Sequence, residues 1–353
     1  MDAKNPYLVV ILIQLIYTGL YVISKAAFDE GMSTFVFIFY RQAAASILLL
    51  PLAIILERKT APHLSFSVLV KVFMHSLFGI TLSFNVYNIG LKYTSATVSS
   101  AVTNSVPVIT FCLAVLLRME TIKLKSLSGM AKLTGIIFCS AGILVIAFFK
   151  GPSLNPLNHH QAFGQSTSVT NHSPPHSKET WIKGSFLLIF ANTAWSLWLV
   201  LQGPLLKEYP SKLLLTTLQC IFSTVQSFLV AMAFERKISR WKLKLDMGLL
   251  AVAYSGFVVT GVSFYLQTWC IEKKGPVFLA ISTPLALVFT IICSSLFLGE
   301  WIHLGSVLGG VLMVGGLYSV LWGKGKESKM LESSDGDGKE QVTKEASSPS
   351  HSV

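Results

Sequence analysis

Apolar residues gather into long runs that are separated by short polar turns along the whole chain. A helix that crosses a bilayer needs about 20 mostly apolar residues, and each run approaches that length. Strands of an outer-membrane barrel would be only about 9–11 residues long, with alternating polarity. The pattern therefore predicts an all-α, polytopic membrane protein with about ten transmembrane helices, at 7–27, 34–56, 68–90, 96–117, 127–148, 182–202, 211–234, 247–270, 277–298 and 302–322.

Composition supports this prediction, because 52% of the 353 residues are hydrophobic, 13% are charged, and the mean hydropathy is +0.61. A soluble domain carries about 25% charged residues, so a water-soluble globule would lack polar surface here. The net charge of +11 lies in short turns between spans, which favours membrane orientation over a nucleic-acid partner. The five cysteines lie in or beside spans without metal-ligand spacing, and we expect no cofactor.

The second half of the chain repeats the first. Glu120 and Glu300 close equivalent spans at an offset of 300 − 120 = 180. A neighbouring offset of 178 carries the triplet 57–59 onto 235–237. Five spans per half place the second copy upside down in the membrane, as in many secondary transporters. Other residues recur at the offset of 180, namely Ser83/Ser263, Phe84/Phe264, Gly129/Gly309 and Gly135/Gly315.

The repeat divides the chain into a first five-helix repeat at 1–150, a polar linker at 151–180, a second five-helix repeat at 181–323 and a disordered cytosolic tail at 324–353. The linker holds four of the eight histidines. Metal binding there is the alternative to a disordered polar loop; we favour the loop and predict no metal site. Asn171 fits a glycosylation acceptor although Pro174 follows closely, and its modification stays open. Both termini are expected in the cytosol, because basic turns of the first half then obey the positive-inside rule.

Small residues line one face of helices 5 and 10. Ala131 and Gly135 lie on helix 5, and Gly305 and Gly309 on helix 10. Small residues let membrane helices approach closely, so these two faces are expected at close contacts between helices.

A polar cluster interrupts the fourth span. Ser100, Thr103 and Asn104 precede Pro107, which removes a backbone hydrogen bond and frees a carbonyl. Polar residues in a span usually face the bundle interior. The cluster predicts a polar notch on a substrate pathway, with interhelical hydrogen bonding as the alternative. Pro284 breaks helix 9 at the mirrored position, beside Thr283.

Helix 1 carries a polar face at helical spacing, and helix 6 repeats it. Gln14 and Tyr17 on helix 1 correspond to Asn192 and Trp195 on helix 6, at 192 − 14 = 178. Aromatic rings beside carboxamides suit an organic solute with an apolar side; core packing is the alternative. The same pathway is predicted to include Asn88 of helix 3 and Gln267 of helix 8.

Three charged residues are candidates for coupling or gating. Arg41 lies within helix 2, where an arginine either binds a substrate carboxylate or extends to the membrane surface. We interpret it as extending to the surface. Glu120 and Glu300 end equivalent helices and either couple protons or act as capping charges at the water boundary.

Several catalytic signatures are absent from the sequence. There is no G-x-x-x-x-G-K-[ST], no H-E-x-x-H and no nucleophile elbow. We therefore expect neither an ATP-driven pump nor an enzyme.

Six sequence segments, in the same order along the chain, resemble those of a known family. They are FYRQAAASILLLPLAIILERKTAP, YTSATVSSAVTNSVPVITFCLAVLLRME, AWSLWLVLQGPLLKEYPSKLLLTTLQC, WKLKLDMGLLAVAYSG, LQTWCIEKKGPVFLAISTPLALV and LGEWIHLGSVLGGVLMVGGLYSVLWGK. The chain resembles the plant Walls-Are-Thin-related, nodulin-like transporters with EamA domains, in the drug/metabolite transporter superfamily. The resemblance implies ten spans in a 5+5 inverted repeat and export or facilitated movement of amino acids or auxin. It also implies the plasma membrane ahead of the vacuolar membrane.

These observations together predict a secondary transporter of small organic solutes, most simply amino acids or auxin-like indole acids, that works by alternating access. Its partners are the solute and membrane lipid, and proton coupling is possible. The alternative is a non-transporting receptor or scaffold that signals through its tail. The sequence leaves the solute, the direction, the energy coupling and the oligomeric state open.

Overall fold

The computed structural model describes residues 5–57, 63–93, 103–120, 126–149, 151–154, 178–243, 246–293 and 302–346. These residues form ten helices, as the sequence predicts. Eight contain a stretch long and apolar enough to cross a bilayer, while α1 and α4 contribute shorter apolar helices, Pro6–Tyr21 and Val106–Leu116. The predicted spans 96–117 and 277–298 lie partly outside the described residues.

Six helices are single stretches: α1 (Asn5–Asp29), α2 (Thr34–Glu57), α4 (Val106–Leu116), α5 (Leu127–Phe148), α6 (Lys178–Glu208) and α7 (Lys212–Phe234). Helix α3 runs through Phe66–Ser76, Leu77–Leu82 and Ser83–Tyr93. Helix α8 runs through Met247–Ala253, Tyr254–Ser263 and Phe264–Lys274. Helix α9 has two parts, Pro276–Ala280 and Thr283–Cys293, and α10 spans Leu304–Ala346.

Irregularities recur at matching places in the two halves. The middle stretches of α3 and α8, Leu77–Leu82 and Tyr254–Ser263, are both π-helical, a form that often marks functional positions. Each contains a glycine at a close helix contact. A Cβ on Gly79 would lie 2.4 Å from the Trp198 ring, and one on Gly256 would lie 2.4 Å from the Ala44 Cβ.

Helix contacts follow a pseudo-two-fold axis. Helix α2 packs on α7, and α5 packs on α10. In both pairs, a helix of the first repeat contacts the equivalent helix of the second repeat. Helix α1 packs on α8 and α9 of the second half, and α6 packs on α3 and α4 of the first. Ser46 and Thr224 are 178 positions apart, and their hydroxyls lie 3.0 Å from each other across the axis. This is the predicted 5+5 inverted repeat.

The tightest helix pair is α5 with α10. A Cβ on Gly135 would lie 2.6 Å from the Gly316 carbonyl oxygen, and one on Gly142 would lie 2.7 Å from the Gly309 carbonyl oxygen. Absent side chains let the two backbones approach. The prediction that the small-residue faces of these helices pack closely is confirmed for Gly135 and Gly309.

Helix α10 continues to Ala346, whereas the sequence predicts a disordered tail from residue 324. Lys324 Nζ lies 2.9 Å from Glu120, and Glu327 forms an ion pair with Lys132. These contacts hold the first turns beyond the predicted span against the core. Composition alone does not reveal them, because the partners are about 200 residues away in sequence.

At the opposite end of α5 and α10, the residues that follow α5 meet those that precede α10. Ser153–Leu154 pairs antiparallel with Ile302–His303. The amide of Leu304 also donates to the Pro152 carbonyl at 3.1 Å. The remaining linker, with its four histidines and Asn171, lies outside the described residues.

The described helices expose many large apolar side chains and bury polar side chains within an otherwise apolar interior. Large apolar side chains such as Ile47, Ile55 and Phe66 are exposed, whereas the polar side chains of Gln14, Arg41 and other residues are buried. Such an apolar surface fits a lipid-facing exterior, and polar residues of membrane spans are expected in the interior.

Candidate functional site

Helix α1 binds the break in α9 through its predicted polar face. Gln14 Nε2 donates to Ser282 Oγ at 2.8 Å, and Ser282 lies in the turn that separates the two parts of α9. Pro284 lies in the first turn after this break, where a missing amide hydrogen costs little. Gln14 therefore links the first half of the chain to the irregular backbone of the second.

A second link joins α1 to α8. Gln267 Nε2 donates to the Tyr17 hydroxyl at 3.1 Å and to Ser263 Oγ at 3.2 Å. Tyr17 also packs against the hydrophobic cluster that contains Phe264 and Trp198. Tyr17 and Gln267 are thus brought together across the two halves of the chain.

Arg41 lies in the interior, so the interpretation that it extends to the membrane surface is wrong. Its side chain is buried, and Nε donates to Thr260 Oγ1 at 2.6 Å. The guanidinium carbon lies 4.9 Å from the centre of the Phe84 ring and 6.0 Å from that of Phe264. Cation–π contacts of this kind contribute about 0.5–2 kcal/mol, which helps to hold the charge inside.

The Arg41 guanidinium retains unused hydrogen-bonding capacity. Its Nη2 is buried without a hydrogen-bond partner. Among the described residues, no carboxylate forms an ion pair with Arg41. An unneutralised interior cation costs free energy, and such a residue usually serves a function.

Stacked rings extend from the arginine along α6. Trp195 stacks on Phe84 at 5.4 Å and on Trp198 at 4.9 Å between ring centroids, and Phe264 lies 6.0 Å from it. We call Arg41, Phe84, Trp195 and Phe264 the arginine–aromatic cluster. It draws residues from both repeats, and its two phenylalanines are the pair related by the offset of 180.

Other predicted pathway residues serve local contacts. Asn192 Nδ2 donates to the Leu188 carbonyl of its own helix at 3.2 Å, and Thr283 Oγ1 donates to the Ala280 carbonyl at 2.7 Å. Thr103 Oγ1 lies 3.1 Å from the Tyr87 hydroxyl, which links α3 to the start of the fourth span. Asn104 and Pro107 are buried beside it, and Asn88 is half-buried on α3. Ser100 and Glu300 lie outside the described residues.

Glu120 lies between two lysines at the water boundary. Its carboxylate accepts hydrogen bonds of 2.9 Å from Lys132 Nζ and from Lys324 Nζ. Burial raises the pKa of Glu120, but the attraction of Lys324 and the two hydrogen bonds outweigh burial and hold that pKa below its usual value. The carboxylate is therefore ionised at neutral pH, as its interpretation as a structural charge requires.

Sequence reasoning missed Thr260 and Ser282 as partners, and Phe84 and Phe264 as cluster members. The recurrence of Ser83-Phe84 as Ser263-Phe264 was a signal for the two rings. The contact of these two rings with Arg41 depends on how the helices pack. An offset between repeats reveals which residues correspond, but not how their helices pack.

Comparison with known proteins gives a consistent result. The model of the EamA-like transporter family matches residues 4–148 and 182–322. A WAT1-related protein of Arabidopsis thaliana is 53% identical and aligns with 98% of this chain and 96% of its own. Protein WALLS ARE THIN 1 of Arabidopsis thaliana is 38% identical over 92% of this chain and 84% of its own.

Two further comparisons agree. An auxin-induced protein of Pinus taeda is 36% identical and aligns with 90% of this chain and 78% of its own. A crystal structure aligns with a TM-score of 0.64 at 16% identity, over 90% of this chain and 98% of that one. At that identity the structure supports the fold alone.

Proposed function

This chain belongs to the EamA-like transporter family, and on that premise we propose that it is a secondary carrier of amino acids or auxin-like indole acids. Membership makes it an integral, multi-pass membrane protein of a family that transports small solutes. The proposal adds the solute classes, and it adds alternating access around a site between the two repeats.

The observation that carries the proposal is the arginine–aromatic cluster. Both solute classes have a carboxylate, and a guanidinium binds carboxylates through paired, charge-assisted hydrogen bonds. Arg41 Nη2 is buried without a partner and so retains a donor for this purpose. The rings of Phe84, Trp195 and Phe264 form an aromatic, apolar wall beside the guanidinium, a suitable neighbour for an indole or an apolar side chain.

The hydrogen bonds that α1 makes to the second half are weak enough to change during transport. Gln14–Ser282 and Tyr17–Gln267 each join the first half to the second with one hydrogen bond. A hydrogen bond between such groups contributes only about 0.5–1.5 kcal/mol, so both can break and re-form as the repeats move. We place these four side chains on the solute pathway.

Uptake into proteoliposomes tests the proposal. Arg41→Gln should lower the flux of indole-3-acetic acid by about tenfold or more, because a hydrogen bond to a charged group contributes about 1.5–3 kcal/mol. Arg236→Gln, which removes an exposed arginine, is the matched control and should leave flux unchanged. Flux is taken above that of protein-free liposomes.

A neutral analogue sharpens the test. The wild type should prefer indole-3-acetic acid to indole-3-acetamide, and Arg41→Gln should lose that preference. Equal preference in the two proteins would separate Arg41 from the solute carboxylate. Tight binding of amino acids or indole acids without any flux would instead favour the receptor alternative.

We further propose that the protein resides in the plasma membrane with both termini in the cytosol. Epitope tags at the two ends of the chain should become accessible to antibody only after intact cells are permeabilised. Labelling of either tag in unpermeabilised cells would contradict this orientation.

A further inference from the structure

A continuous chain of buried hydrogen bonds crosses four helices. His75 of α3 lies 3.1 Å from the amide nitrogen of Gln219 on α7 through its Nδ1. That nitrogen also donates to Gln202 Oε1 of α6 at 2.8 Å, and Gln202 Nε2 donates to Thr268 Oγ1 of α8 at 2.9 Å. We call these four residues the histidine–glutamine chain. It ends next to Gln267, the partner of Tyr17.

The histidine–glutamine chain lies where the second half of the protein matches the position of Arg41 in the first half. The offset of 178 carries Arg41 onto Gln219, since 41 + 178 = 219, and the contact between Ser46 and Thr224 supports that alignment. The first half thus places a permanent cation at this position. The second half has the neutral amide of Gln219 at this position, and the titratable imidazole of His75 contacts that amide.

The imidazole has one defined resting state. Nε2 lies 3.2 Å from the Trp198 carbonyl and donates to it, while Nδ1 accepts from the Gln219 amide. The ring is therefore neutral, with its proton on Nε2. Gln219 Oε1 is buried without a hydrogen-bond partner.

A cavity reaches from His75 to the exposed ion pair of Lys71 and Glu208. It has a volume of about 430 Å³ and lies between α3 and α6. Lys71 and Glu208, which pair at 2.6 Å, are exposed at its rim and are the only charged side chains among its described lining residues. Neither α7 nor α8 presents a described charged group to His75, since Lys212 and Glu272 pair with each other at the helix ends. Water in this cavity can deliver a proton.

We propose that His75 is a proton-binding site and that the histidine–glutamine chain transmits its protonation to α8. A proton from cavity water binds Nδ1, and the ring becomes an imidazolium with two donors. The Gln219 amide nitrogen then faces a donor, so the amide rotates and presents Oε1 to Nδ1–H. This rotation withdraws the hydrogen bond from Gln202 and leaves its amide free to turn, which alters the contact with Thr268.

The coupling part of this inference rests on the proposed carrier function. It assigns coupling to a histidine rather than to Glu120, whose carboxylate is held by two lysines and remains ionised. Histidine is the side chain whose ordinary titration range spans physiological pH.

A solute-free titration tests the proton site in the purified full-length protein. The His75 ring stacks on Trp198 at 5.7 Å between centroids, so protonation should change tryptophan fluorescence as the pH falls from about 8 to about 3, a range that includes the ordinary histidine titration and one displaced downward by burial. The transition should disappear in His75→Gln and Trp198→Phe, and it should persist in His63→Gln, which removes an exposed histidine. No transition in the wild type, or one that persists in His75→Gln, would overturn the proposal.

A flux experiment tests the coupling. With one proton per solute, a pH gradient of one unit sustains about tenfold accumulation, because one pH unit corresponds to 1.36 kcal/mol. Proteoliposomes should accumulate radiolabelled L-glutamine to about that extent. His75→Gln and Gln202→Leu should both exchange glutamine at equilibrium but lose the gradient-driven accumulation.

The outcomes separate the two proposals. Exchange that no pH gradient can drive in the wild type would overturn coupling and leave the carrier function intact. Absence of glutamine exchange in the wild type would count against the carrier function, while the fluorescence titration would still decide whether His75 binds a proton.

Discussion

Lys132 is 1% exposed and lies near the start of α5, yet it is fully provided with charged partners. Its ammonium binds Glu120 and Glu327, and Glu120 also binds Lys324. Two lysines and two glutamates thus balance each other, and breaking such a buried group is costly because a remaining charge is left unpaired.

Glu120→Gln is therefore expected to destabilise the protein by about 3–5 kcal/mol, the usual cost of removing one partner of a buried pair. Thermal unfolding in detergent provides the measurement. Glu208→Gln is the matched control, because it breaks an exposed pair with Lys71 that contributes about 0–1 kcal/mol. Equal effects of the two substitutions would show that burial of the cluster adds nothing.

The same carboxylate predicts a dependence on acid. The pKa of Glu120 is lowered by folding, so its stabilising contribution is present above the unfolded pKa and is lost as pH falls through the folded pKa. The stability of the wild type should approach that of Glu120→Gln at acid pH. A constant difference between the two proteins from neutral to strongly acid pH would contradict this.

For individual polar residues, the sequence predicted a position in the interior but not the partners that each side chain contacts. The rule that intramembrane polar residues face inward correctly placed Gln14, Tyr17 and Gln267. Arg41 was misjudged, because the choice between the interior and the surface depends on two rings more than 40 positions away in sequence. Asn192 satisfies its own helix backbone, a choice that spacing alone does not reveal.

At the scale of elements, number and order of the helices follow from apolar run length, and the inverted repeat follows from recurring residues. The π-helical stretches of α3 and α8 were not predictable, because they reflect the close approach of α6 and α2 to Gly79 and Gly256. The extension of α10 was also missed, since its polar composition is typical of disorder and its anchors are distant.

Adjacent glycines in α10 test how close packing holds this element. A Cβ on Gly316 would lie 2.5 Å from the Gly135 carbonyl oxygen, whereas one on Gly315 meets nothing within 4 Å. Gly316→Ala should lower stability by about 1–3 kcal/mol through overpacking. Gly315→Ala should be neutral or slightly stabilising, because alanine favours a helix by about 1 kcal/mol. Thermal unfolding of both variants decides, and equal midpoints would contradict the packing argument.

At the scale of the molecule, Lys324 and Glu327, which follow the last apolar run, belong to the bundle. A protein truncated after residue 322 loses both Lys324 and Glu327 and leaves Glu120 and Lys132 partly unpaired. It should be less stable, by about 1.5–3 kcal/mol, than a protein truncated after residue 329, because Glu120 and Lys132 keep each other but each loses one charge-assisted hydrogen bond. Similar unfolding temperatures for the two truncations would exclude an anchoring role.

Helices α5 and α10 are fastened at three levels along their length. A two-residue β-pair joins them at one end, glycine backbones touch in the middle, and four charges close the other end. We therefore expect α5 and α10 to remain fixed relative to each other as a rigid unit. The other eight helices would move relative to this unit. Distance measurements between probes on α5 and α10 should stay constant through a transport cycle, while those between α1 and α9 should change.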